Sequence, residues 1–310
     1  MLRPSTKGPL KRHPANPILT PEDMPFYCYS VFNSGAVLFE GKALLLLRVE
    51  SCERKTDFYV ATSGDGVHFD VSPEPIDYPL TATEQRYGKA HRFDMRITPL
   101  DGTYYVTHAS WMKRWGCSMG MATTDDFAHF KPFPHISVPS NRNHVLFPEK
   151  IGGLYCRLER PQDTRGGGEI WVSYSHDLEF WGRSMPLDMP KTSWSGNKSG
   201  AGAVPIKTDH GWLAIYHATA STCSTENYYL GAMLLDLEDP STIVAAPGEF
   251  ILAAEEVYEC VGQTPNVVFT NGAVEMPDGT LHVYYGAADT RMCLATSTVA
   301  ELVDFCLRAK

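Results

Sequence analysis

The 310 residues are 43% hydrophobic and 20% charged, enough apolar material for a complete core, with no segment polar enough to stay unfolded. A formal net charge of −9 excludes the broad positive face that a nucleic-acid binder needs, while leaving room for a local cationic pocket. Eight cysteines without CxxC or zinc spacing read as reduced thiols, and the longest apolar run, around Ala43 to Leu47, is far too short to span a bilayer.

The first 19 residues are basic and broken by prolines, with no apolar stretch of signal-peptide length, so the expected location is cytoplasmic. Beyond them, short runs rich in Val, Tyr, Phe and Leu alternate with Gly, Asp and Pro punctuation, the pattern of strands and turns. Five segments align: GAVLFEGKALLLLRVES from Gly35, DMRITPLDGTYYVTHAS from Asp94, HVLFPEKIGGLYCRLERP from His144, GAVPIKTDHGWLAIYHA from Gly202 and GAVEMPDGTLHVYYGAAD from Gly272. Each holds an extended run, a turn at Gly41, Gly102, Gly153, Gly211 or Gly279, and a second apolar run.

A third strand ending in a turn with Asp often follows, as in YVATSGDGVHF from Tyr59 and MGMATTDDFAHF from Met119, and CLATSTVAELVDF from Cys293 is read the same way. The turn glycines lie 51 to 68 residues apart, enough for one four-stranded blade each. The expected fold is all-β, one five-bladed β-propeller catalytic domain over residues 1–310, closed by N-terminal residues joining the last blade. A β-sandwich is the competing architecture, but five similar hairpin units favour radial repetition.

Blades converge on an axis, so equivalent positions in successive repeats should surround one pocket. Arg48 and Arg160 lie seven residues after their glycines, His108 and His217 lie six after, and Asn33 and Asp94 lie eight before. Cations gathered at one level repel one another unless an anion compensates them, so Arg48, Arg160, Lys198 and His217 read as an anion site. Lys198 belongs to a Gly-rich stretch, NKSGAGA from Asn197, that lacks P-loop spacing and is not read as a nucleotide site. Tyr285 and Asp289, in VYYGAAD, stand at the pocket end of the fifth repeat and are candidate ligand contacts. The histidines are not clustered at ligand spacing, so neither a metal nor an organic cofactor is expected.

Taken in order, NPIL at Asn16, VFNSGAV at Val31, LLLLRVE at Leu44, FDMRIT at Phe93, NRNHVLFPEKIGGLY at Asn141, LERPQD at Leu158, GAGAVPIKTDHGWLAIYHA at Gly200, YECVGQTPNVVF at Tyr258 and YYGAADT at Tyr284 resemble glycoside hydrolase family 130, the β-mannoside phosphorylases. The resemblance implies a five-bladed propeller whose acid is Asp94, in Phe93-Asp-Met-Arg96, with Phe93 replacing the usual Tyr or Glu. It also implies that Arg48, Arg160, Lys198 and His217 hold phosphate, and that Asn33, Asp289 and Arg96 fix the mannose. The implied reaction is inverting phosphorolysis of a β-mannoside, with inorganic phosphate as co-substrate and α-mannose 1-phosphate as product. Three of the stretches are most like the branch acting on 4-O-β-D-mannosyl-D-glucose, with manno-oligosaccharides as the alternative. A hydrolase of the same family and a non-catalytic sugar-binding propeller are the rival readings. The expected partners are a β-mannoside and phosphate, with no nucleic acid and no membrane; a homo-oligomer is left open.

Overall fold

The structure is a computed model that describes residues 6–308 apart from 89–90, 135, 163–166 and 224. Its strands form five antiparallel sheets arranged as the blades of a propeller. The first blade runs outward through Ser30–Phe39, Lys42–Glu50, Thr56–Ser63 and Asp70–Val71, and the second through His91–Leu100, Thr103–Met112, Gly116–Thr124 and Lys131–Pro132. The third comprises Asn141–Leu146, Tyr155–Pro161, Trp171–Ser175 and Trp181–Pro186. In the fourth, Lys198–Ala201 and Ile206–Thr208 follow one another along one edge of Gly211–Ser221, whose other edge pairs with Glu226–Leu235. The fifth is Val268–Glu275, Leu281–Ala287 and Arg291–Ser297, completed by Lys11–Arg12 from the start of the chain. That N-terminal strand closes the ring, as the sequence suggested.

Each gap between neighbouring blades holds its own hydrophobic cluster. This explains why the second strand of the first blade is an unbroken leucine run and not an alternating one. Leu44 and Leu46 pack toward the second blade while Leu45 and Leu47 pack toward the fifth, and all four are at most 2% exposed. A strand buried on both faces has no polar side to display, and each leucine contributes about 1.5–3 kcal/mol of apolar burial.

The Asp turns recur as the repeat required. In each, one carboxylate oxygen accepts from the backbone two and three residues on: Asp65 from Val67 and His68, Asp126 from Ala128 and His129, Asp177 from Glu179 and Phe180, and Asp236 from Glu238 and Asp239. The last repeat departs from the expectation. Its third strand stops at Ser297, and Val299–Leu307 is a helix that buries Leu302, Val303 and Cys306 over the fourth and fifth blades. Thr298 caps the helix by accepting from Glu301 N while the Glu301 carboxylate accepts from Thr298 N, so the T-x-x-E signal of a capping box was present in the sequence. No helix among the described residues is long and apolar enough to cross a membrane.

Candidate active site

Near the start of their inner strands, the first, second, third and fifth blades carry a β-bulge. Register shifts between Phe32 and Gly35, between Phe93 and Arg96, and between Arg142 and Val145 leave Asn33, Asp94 and Asn143 at φ of 50°, 57° and 58°. Left-handed backbone is costly for most side chains but accessible to Asn and Asp, and a bulge re-aims the residue it holds. On the facing second strands, the residues paired just before the first- and third-blade bulges are Arg48 and Arg160, and the fourth blade supplies His217 opposite Gly200. These side chains line one cavity of about 440 Å³, together with Phe93, Arg142, Lys198, Tyr228, Phe269 and Asp289. All five blades contribute, which puts the cavity on the propeller axis.

Seven of the nine expected site residues line it: Asp94, Arg48, Arg160, Lys198, His217, Asn33 and Asp289. The Asp94 carboxylate accepts from Asn33 Nδ2 at 3.2 Å and from Arg48 Nη1 at 3.1 Å. Arg48 also lies over the Phe32 ring at 4.3 Å, and both Arg48 and Arg142 lie within 6 Å of the Phe93 ring, at 5.4 and 5.7 Å. Phe93 therefore serves as an apolar spacer between two guanidinium groups. It offers Asp94 no hydrogen bond.

Across the cavity, Arg160 Nη1 lies 3.2 Å from His217 Nε2. A guanidinium can only donate, so Nε2 accepts and the imidazole proton is assigned to Nδ1. Burial, reinforced by Arg160, Arg96 and Lys198, holds the His217 imidazole well below its ordinary pKa. Burial and the neighbouring Arg142 likewise bring Arg160 down to about 10. Among the described residues neither Arg142 nor Arg160 meets a carboxylate at ion-pair distance, while Lys198 meets Glu226 at 2.5 Å. Among the described residues the wall is a cationic surface with little internal compensation. Asp289 sits on the Asp94 side, where burial raises its pKa against the opposing pull of Thr264 and Arg48.

Two expected sugar contacts stand elsewhere. Arg96 is 1% exposed and lies outside the cavity lining, donating to the Asp94, Ala201 and Gly202 carbonyls at 3.0, 2.7 and 2.6 Å. It ties the acid's bulge to the fourth blade from beneath. Tyr285 is fully buried and donates to Glu259 Oε1 at 2.8 Å. In its strand the residue facing the axis is the next one, Gly286, and one position along a strand reverses the face. The same rule separates His108 from His217. Gly211 pairs with Thr208 and opens the returning strand, whereas Gly102 lies in the turn itself, so the equivalent of His217 in the second blade is Ala109. His108 turns away to meet Tyr78 OH at 3.0 Å.

Two glycines make room for these groups. A Cβ on Gly286 would fall 2.2 Å from Asn33 Oδ1 and 3.0 Å from Asn33 N, and one on Gly200 would fall 2.5 Å from His217 Cε1 and 2.7 Å from Asn143 Oδ1. Gly286→Ala is accordingly expected to displace Asn33 and lower kcat/KM by roughly 100-fold in a fold that still forms. Near-normal kinetics in that variant would mean that Asn33 does not need its present place.

The sequence model of glycoside hydrolase family 130, described as beta-1,4-mannooligosaccharide phosphorylase, matches residues 9–308. The chain belongs to glycoside hydrolase family 130. Relatives in the family include the beta-1,4-mannooligosaccharide phosphorylase of Ruminococcus albus, 33% identical over 96% of this chain and 91% of its own length. The 4-O-beta-D-mannosyl-D-glucose phosphorylase of Bacteroides fragilis is 32% identical over 90% of this chain and 75% of its own length. Among solved structures, the beta-1,2-mannobiose phosphorylase of Listeria innocua, in complex with beta-1,2-mannobiose, superposes with a TM-score of 0.86 at 29% identity, covering 96% of this chain and 99% of that one. The family model and these relatives are those of glycoside phosphorylases acting on β-mannosides.

Proposed function

We propose that residues 1–310 act as one catalytic domain that cleaves β-1,4-mannosides, either β-1,4-mannosyl-glucose or manno-oligosaccharides, with inorganic phosphate. The observation that carries this reading is the division of the cavity: its two carboxylates, Asp94 and Asp289, share one side, opposite a wall in which Arg142, Arg160 and His217 have no carboxylate partner among the described residues. An inverting hydrolase needs its second carboxylate on the face of the sugar opposite the acid, where it activates water. Phosphate is already an anionic nucleophile, so a cationic wall that binds and aims it replaces that base.

In this mechanism Asn33 and Asp289 hold the mannosyl unit on the acid's side. A phosphate oxygen attacks the anomeric carbon as the glycosidic C–O bond breaks, and the bonding pair leaves with the acceptor oxygen. Asp94 supplies the proton for that oxygen through the mannosyl 3-hydroxyl. The products are α-mannose 1-phosphate and the shortened acceptor. The negative charge of a bound phosphate offsets the repulsion among Arg160, Arg142 and Lys198, and neutral His217 adds no further positive charge to that wall.

The preference for the 1,4 linkage is supported by the Ruminococcus albus and Bacteroides fragilis relatives, although 1,2-acting relatives lie at similar identity, 30–35%. Incubation with β-1,4-mannosyl-glucose, β-1,4-mannobiose and β-1,2-mannobiose, each with and without phosphate, tests the proposal. Mannose 1-phosphate should form from the 1,4-linked sugars and only when phosphate is present. Free mannose released equally well without phosphate would assign the site to hydrolysis instead.

A further inference from the structure

Glu226 lies outside the cavity lining yet holds one of its cations. It opens the strand Glu226–Leu235, paired with Ser221 at the hairpin end beside the site. Its Oε2 stands 2.5 Å from Lys198 Nζ, and its Oε1 accepts from Asn197 Nδ2 at 3.2 Å. Lys198 in turn lines the cavity, 5.2 Å above the Tyr228 ring. Among the described residues, Glu226 is the one carboxylate in ion-pair contact with the wall formed by Arg142, Arg160 and Lys198.

We propose that Glu226 is a built-in competitor for the substrate anion: its carboxylate neutralises Lys198 in the empty site and gives it up when phosphate enters. This rests on the phosphorylase reading above. The two side chains differ in the way such an exchange needs. Lysine carries a compact charge on a flexible four-carbon stem and can swing between two acceptors. The Glu226 side chain is 35% exposed, so once released it is solvated by water, whereas that of Lys198 is 17% exposed and stays in the wall. Arg160, fixed against His217 and deeply buried, has no comparable freedom. Glu226 thereby weakens the grip of the cationic wall, on inorganic phosphate as it enters and on the sugar phosphate as it leaves.

The test is Glu226→Gln, which keeps the length of the side chain and an acceptor for Asn197 but removes the charge. The KM for inorganic phosphate is expected to fall about three- to tenfold, with the KM for the mannoside unchanged within about twofold. Calorimetric titration of each protein with inorganic phosphate should show the same tightening, and the difference should shrink as salt is added. A rise in the phosphate KM would overturn the proposal by showing that Glu226 positions Lys198 for binding, and an unchanged value would overturn it by making Glu226 a bystander. The wild-type protein separates this failure from that of the underlying reading. If it releases mannose without phosphate, both fall; if it is phosphate-dependent and the variant does not tighten, this inference alone fails.

Discussion

Asp94→Asn is expected to lower the rate of mannose 1-phosphate formation by about 10²–10⁴-fold, the range typical for losing a general acid. The substitution is nearly isosteric. Asparagine retains an oxygen to accept from Asn33 Nδ2 and Arg48 Nη1, which now hold the carboxylate at 3.2 and 3.1 Å. The bulge should survive as well, because Asn adopts the left-handed conformation that Asp94 shows at φ 57° and that Asn33 and Asn143 already occupy. What disappears is the transferable proton. Arg48 also loses its ionic partner, so the KM for phosphate should stay constant or fall while kcat collapses. That combination separates the acid role from a merely structural one. A sugar-binding propeller without catalysis would show no turnover to lose, and an Asp94→Asn variant that keeps wild-type turnover would remove Asp94 from the chemistry.

The site was legible to the extent that the five repeats fold alike. Arg48, Arg160 and Asp94 could be brought together from spacing because the turns at Gly41 and Gly102 are alike and blade three keeps the same interval from Gly153 to its arginine. Counting failed where hairpins differ. In the third blade an Ile151–Leu154 bridge lengthens the hairpin, so Asn143, at the same bulge as Asn33 and Asp94, lies ten residues before its glycine and went unnoticed. Arg142, immediately before it, was missed for the same reason. Tyr228 reaches the cavity from a third strand, where spacing from the turn glycine between the first and second strands carries no information. The C-terminal helix Val299–Leu307 has a visible capping box at Thr298, but TVAELVDF occupies the place that the other repeats give to the end of a third strand and its turn.

Tyr285 was assigned to the sugar when its hydroxyl belongs to ring closure, and the same contacts yield the largest expected effect on stability. Arg12, on the strand that completes the fifth blade, donates through Nε and Nη2 to the two Glu259 oxygens, each at 2.8 Å, and through Nη1 to Glu255 at 2.7 Å. Glu259 is fully buried, and the Tyr285 hydroxyl completes its shell. Arg12→Ala leaves that carboxylate in the protein interior without its cation. Breaking a buried pair from one side costs about 3–5 kcal/mol, since the stranded charge has lost both water and partner. For a chain of this size the expected fall in Tm is roughly 5–8 °C. Arg12→Lys should recover only part of it, because a single ammonium cannot reproduce the paired donors of a guanidinium. Lys7 and Glu249 provide the control: they also join the N-terminal segment to the fourth blade, at 3.1 Å, but both are exposed, so Lys7→Ala should leave Tm unchanged. Thermal unfolding of the three variants distinguishes closure by the buried pair from closure by the strand hydrogen bonds alone. If Arg12→Ala melts with the wild type, the backbone pairing of Lys11 and Arg12 with Thr296 and Ala295 suffices to hold the ring.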